Sequence, residues 1–138
     1  MWMLDTDTCS YILRAYSANV VVRLDAVPRN EVEVSSLVAA ELRYGAERVK
    51  SRKLIATVDA WLGLFTIAPW DDDAARAYAK ARTAVEAKGK PIGNLDLLIA
   101  SHALARDATL VTNNTRHFSQ VPGLRTARAV SACPNSTS

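Results

Sequence analysis

The chain has 138 residues, 49% of them hydrophobic and 22% charged, with a formal net charge of +3. That length suits one domain whose core needs neither disulfides nor a structural metal, and the composition excludes a disordered or collagen-like chain. The small positive charge permits a polyanionic partner without demanding one.

Trp2 to Leu4 reads as a short buried strand. Asp5 and Asp7 interrupt this apolar start and no basic segment precedes it, so a secretory leader is not expected. Thr6, Asp7 and Thr8 offer caps for a helix carrying Tyr11, Ile12 and Leu13, with Asp7 the better capping candidate because it lies nearer the helix body. A second helix is expected over Ala18 to Val27, with Val20, Val21, Leu24 and Val27 on one face. Pro28 ends it, and Arg29-Asn30 makes a turn.

Glu31 to Val34 follows as a strand. Ser35 or Ser36 caps a helix to about Val49 on which Leu37, Glu41 and Tyr44 share a stripe. A further helix covers Arg52 to Leu64, and Phe65 to Ala68 is a strand candidate. Asp71 caps an alanine-rich helix to about Lys88, with Asp72 and Asp73 complementing its dipole, and Gly89 stops it. After a loop at 90–93, Asn94 caps a helix to Arg106. Thr109 to Thr112 is a strand, Asn113 to Ser119 a loop or short helix, and Leu124 to Val130 an edge strand. Residues 1–130 form one domain on this reading, and 131–138 a disordered tail. Cys9 and Cys133 make no spaced framework, which fits a reducing cytoplasm and disfavours a zinc site. No apolar stretch is long enough to span a bilayer. Strands alternating with helices predict an α/β fold with a mainly parallel sheet, whose sites form beyond the strand carboxyl ends.

Asp5, Glu41 and Asp96 lie in or beside apolar runs, where a lone charge is costly unless paired or bound to metal. Each also has an ordinary reading, as a helix cap for Asp5 and as dipole complements for Glu41 and Asp96. Brought together, they make an oxygen-only pocket for Mg²⁺ or Mn²⁺. The chemistry that needs such a pocket is metal-assisted phosphodiester hydrolysis. Thr112 and Asn113 fit either a supporting role or plain turn chemistry. His117 reads as a loop histidine at the surface and His102 as a mid-helix surface residue. Arg43, Lys50, Arg52 and Lys53 read mainly as a solvated helix end, and Trp61 and Trp70 as core or dimer surface.

The segments MLDTDTCSYIL, AAELRYGAER, PIGNLDLLIASHAL and ATLVTNNTRHFSQVPGLR together resemble the motifs of PIN-domain ribonucleases, and more narrowly VapC-type toxins of bacterial toxin–antitoxin pairs. The resemblance runs from Met3 to about Arg125. It implies a PIN-like parallel sheet flanked by helices and Mg²⁺- or Mn²⁺-dependent cleavage of RNA, with tRNA or ribosomal RNA as substrate. It carries the family's three acids onto Asp5, Glu41 and Asp96 as metal ligands. The fourth acid of many members falls on Asn114, supported by Thr112, and a common glutamate falls on His117. Both departures remove negative charge. The resemblance also implies a homodimer, and a VapB-type antitoxin that inserts a cationic segment into the acidic site.

Two other readings remain open. LDTDTC resembles the nucleophile motif of haloacid-dehalogenase-type phosphatases, with Asp5 attacking phosphorus, but Cys9 departs from that pattern and Glu41 would have no role. Alternatively, the chain is a PIN module that binds RNA or its antitoxin, with cleavage weakened by the missing fourth acid.

Overall fold

The computed structural model describes residues 1–19, 22–24, 29–89, 92–128 and 130–132. Five parallel strands form the central sheet: β1 (Trp2–Leu4), β3 (Val32–Ser35), β4 (Thr66–Ala68), β5 (Thr109–Val111) and β6 (Thr126–Ala127). Their order across the sheet is β4-β3-β1-β5-β6. Met3, Leu4, Val34, Leu110 and Val111 are fully buried although consecutive residues point to opposite faces. This is the signature of a parallel sheet covered on both sides. The expected α/β class and parallel sheet are therefore present.

The helices are α1 (Thr6–Ser17), α2 (Ser36–Val49), α3 (Arg52–Leu62), α4 (Asp72–Ala87), α5 (Asn94–Ala105) and α6 (Thr115–Phe118). Ser35, Ser51 and Asp71 cap α2, α3 and α4 by accepting bonds from the N–H groups of Leu37, Leu54 and Ala74. Gly89, at a φ of 69°, ends the α4 segment in the left-handed region that a glycine enters freely.

Several expectations are corrected. Asp5, not Asp7, is the N-cap of α1, because the helix begins directly after β1; its Oδ1 accepts from Thr8 N–H at 2.8 Å. Within the expected helix over 18–27, Val22–Leu24 is instead a strand, β2, paired antiparallel with β7 (Val130–Ala132) in a separate sheet. The valine-rich run supports a helical spacing and a strand equally well, and β-branched residues favour the strand. Residues 20, 21 and 25–28 of that segment, and the tail beyond 132, lie outside the described residues. The expected edge strand over 124–130 is two elements: β6 pairs parallel with β5, while Val130 belongs to β7. Gly93, not Asn94, holds the N-cap position of α5, without a side-chain cap bond.

The Glu41 stripe is also not the buried one. Helix α2 buries Val38, Ala39, Leu42 and Ala46, whereas Tyr44 is 62% exposed and Glu41 exposed. His102, expected at the surface, is fully buried, with its Nδ1 2.8 Å from Ser35 Oγ. Burial, and then the nearby Arg106 charge, lower its pKa below 6.5. Trp61 is core, as one of its readings held. No described helix is long and apolar enough to cross a membrane.

Candidate active site at the carboxyl end of the sheet

The chain leaves β1 to build β3 and β4 on one side, then returns to add β5 and β6 on the other. The strand order therefore reverses at β1, and a crevice opens beyond its carboxyl end. Asp5 stands at that position. Its backbone N–H donates to the Val111 carbonyl at 3.1 Å, and the Thr8 hydroxyl donates to the same carbonyl at 3.2 Å. These bonds tie the end of β1 to the end of β5.

Asp5 is only 5% exposed. Burial raises its carboxyl pKa above the ordinary 3.8, and the neighbouring Asp7 charge pushes the same way. The opposing pull comes from the Thr112 hydroxyl and from the hydroxyl and N–H of Thr8. Among the described residues no cation is paired with Asp5. Thr112, fully buried just past β5, also accepts the Asn114 N–H at 2.9 Å. Its turn chemistry and its contact with Asp5 therefore coexist. Asn114 is exposed at the N-cap position of α6 and makes no side-chain cap bond.

Asp96 lies in the first turn of α5. Because α5 runs back toward the start of β5, its first turn sits at the carboxyl end of the sheet. Ile99, Ala100 and Ala103, one and two turns on, are fully buried and hold this helix in place. His117 reaches Asp96 from α6, with Nε2 3.1 Å from Asp96 Oδ2. This corrects the surface-loop reading of His117, which is 26% exposed. The pair is formed by residues 21 positions apart in sequence, so no local pattern announces it.

Glu41 lies about 9 Å along α2 from its start, by helical rise. It stands on the wall of a groove between α1, α2 and α3 with a volume of about 450 Å³. Thr6, next to Asp5, lines the same groove, and Leu13, Leu42, Leu54 and Val58 form its apolar part. Arg14 lines the same groove. Arg43, Lys50, Arg52 and Lys53 are all exposed, as a solvated helix end requires, and Arg43 meets Asp59 at the surface at 3.3 Å.

Among the described residues, no three His, Cys, Asp or Glu side chains are already gathered closely enough to hold an ion by themselves. The donors are nevertheless hard carboxylate oxygens. Mg²⁺-like ions keep several waters and take one or two carboxylates directly, so the donor type, though not a closed cluster, is the one such an ion uses.

Comparison with known proteins agrees with this fold. The PIN domain family model matches residues 2–124. A ribonuclease VapC2 of Rickettsia felis is 38% identical, the match covering 90% of this chain and 94% of the relative. A tRNA(fMet)-specific endonuclease VapC of Shigella flexneri is 33% identical over 91% of this chain and 95% of its own length. Among solved structures, VapBC2 of Rickettsia felis bound to a DNA fragment from its promoter superposes with a TM-score of 0.77 at 35% identity, covering 92% of this chain and 97% of that one.

Proposed function

Because the chain belongs to the PIN-domain family, in its VapC-type branch, we propose that it is the toxin of a toxin–antitoxin pair and hydrolyses RNA as a metal-dependent endoribonuclease. The family works with a divalent metal ion; Mg²⁺ or Mn²⁺ is the ion proposed here. When bound, such an ion lowers the pKa of a coordinated water and offsets charge developing on the scissile phosphate.

The chain's own residues divide the work. Asp5 and Asp96 would hold the ion, with Glu41 as the third acid on the groove wall. The Thr112 hydroxyl orients the Asp5 carboxylate, and the same oxygen fixes the turn that presents the Asn114 amide. The observation that carries this reading is Asp5: a buried carboxylate at the strand-order switch, held by N–H and hydroxyl donors and, among the described residues, paired with no cation. An acid so placed is a standing invitation to an external cation.

The proposed substrate class is tRNA. The experiment is cleavage of total tRNA, and of initiator tRNA separately, with Mg²⁺, Mn²⁺ or EDTA, beside Asp96→Asn. Discrete fragments that vanish with EDTA and in the variant support the reading. RNA binding by folded protein, with no cleavage of tRNA or ribosomal RNA, supports the second reading of a weakened binding module. The open spacing of the acids and the amide at Asn114 are the observations that favour it. Trapping a phosphoryl group on Asp5 would instead indicate the phosphatase reading.

The partner proposed is a VapB-type antitoxin, with the toxin acting as a cytoplasmic homodimer. The groove between α1, α2 and α3 suits an apolar antitoxin segment, and its Thr6 and Glu41 end leads a cationic side chain toward the acids. Gly45 lines this groove, and a Cβ there would meet nothing within 4 Å. Gly45→Trp is expected to weaken antitoxin binding by about tenfold or more while sparing RNA cleavage, as read by titration calorimetry and the tRNA assay. Unchanged affinity would place the antitoxin elsewhere.

A further inference from the structure

The groove between α1, α2 and α3 is lined by two opposite charges that do not pair with each other. We propose that Arg14 is a specificity-determining residue of this groove: the antitoxin segment seated there carries an acidic side chain over Arg14, about two helical turns from the cation at its Thr6 end. The inference rests on the reading of this groove as the antitoxin seat.

Arg14 and Glu41 both line the groove, and both are exposed. Among the described residues neither makes an ion pair or a side-chain hydrogen bond. Beside the groove the same helices do pair opposite charges, since Arg43 on α2 meets Asp59 on α3 at 3.3 Å. The buried side chains of Leu13, Leu42 and Val58 share the lining with the two charges. An apolar segment laid against them takes water away from Arg14. Left unmatched, that desolvation opposes binding. Matched by an acid, it discriminates between partners. The Glu41 carboxylate and the apolar lining suit a protein segment here better than a phosphate backbone, which the carboxylate repels.

The length of the groove sets the register. Along α1 its lining runs from Thr6 to Ala18, about 18 Å by helical rise. A helical segment of roughly three turns fills that length, in the way an amphipathic helix enters an apolar groove. Arg14 stands about 12 Å beyond Thr6 along the axis of α1. On a helix laid alongside, acid and cation are therefore separated by about seven or eight residues, which share one face. The same separation holds whichever way the segment runs.

The test is selection from a display library of random peptides, each about 14 residues long, on the full chain as wild type, Arg14→Glu, Arg14→Gln and Gly45→Trp. Each protein is checked for folding by circular dichroism, and the enriched peptides are synthesised for titration calorimetry. Wild type is expected to enrich peptides that Gly45→Trp no longer holds and that carry Asp or Glu about two turns from Lys or Arg. Arg14→Glu is expected to enrich Lys or Arg in place of that acid. The acid-bearing peptide should lose about tenfold or more in affinity on Arg14→Glu, and less on Arg14→Gln. Peptides that depend on Gly45 but show no acid preference, or that are the same for wild type and Arg14→Glu, would overturn this inference alone. A tRNA KM that rises in Arg14→Glu, with the peptide preference unchanged, would assign Arg14 to the RNA and overturn it too. No enriched peptide, or peptides held equally by Gly45→Trp, would overturn the reading of the groove as the antitoxin seat as well.

Discussion

Two buried acids on neighbouring strands meet opposite fates. Glu33, in the middle of β3, is 2% exposed and receives both arms of Arg106, one of them as Nη2 to Oε2 at 3.0 Å. Arg106 is the C-cap residue of α5, where a cation also suits the helix dipole. Asp5, just past β1, is 5% exposed and among the described residues receives only N–H and hydroxyl donors. Taking a carboxylate out of water is costly in both places. One cost is offset by Arg106, and for the other no cation is found among the described residues. The comparison separates an acid paired with an arginine from the acid proposed to meet a metal ion.

The contrast is open to direct attack. The largest effect is expected at Asp5. Asp5→Asn keeps a side chain able to cap α1, since asparagine is an equally good N-cap, yet removes the ligand charge. RNA cleavage should fall by about 10²-fold or more, measured as single-turnover rates on tRNA, while the metal-free protein loses no stability. The next effect is at the other acid. Arg106→Ala leaves Glu33 buried without its cation and should cost about 3–5 kcal/mol in urea denaturation. Adding Glu33→Met should recover most of that loss, because an uncharged pair of similar volume needs no partner. If Arg106→Ala were silent, the distinction between the two acids would collapse.

A smaller effect lies in the pH dependence. The raised pKa of Asp5 means that its unfolded form gives up the proton first as pH rises from 3.8, so stability is lost until the pH passes the folded value. The lowered pKa of His102 has its consequence on the acid side. There the unfolded imidazole takes up a proton first, so stability falls as pH drops below 6.5. Denaturation midpoints of metal-free wild type and Asp5→Asn, taken from pH 4 upward in steps of about one unit, should diverge with rising pH and then run parallel. The acid-side loss due to His102 should be common to both.

Much of this was legible from sequence. Alternating apolar strands and capped helices predicted the parallel α/β sheet, and the ends of β1 and β5 bracket the crevice where Asp5 and Thr112 were expected. What escaped was set by contacts between distant segments. Glu33 meets Arg106 across 73 residues, and His117 meets Asp96 across 21. His102 sits in an apolar helix whose periodicity carries almost no face, because α5 is buried nearly all round. Glu41 was placed on a buried stripe because Leu37 and Tyr44 share its spacing; the packing of α1 and α3 against α2 selects Val38, Leu42 and Ala46 instead. The β2 segment was misread because a valine run satisfies helical spacing, and its partner strand lies more than a hundred residues away.

Asp5 has no paired cation among the described residues, and the proposed function requires an external one to bind there. The most direct test of that requirement is the thermal unfolding midpoint of wild type, Asp5→Asn and Glu33→Gln with and without Mn²⁺. The account predicts that Mn²⁺ raises the midpoint of wild type and of Glu33→Gln and leaves Asp5→Asn unmoved. An equal rise in all three proteins, or none in wild type, would contradict it.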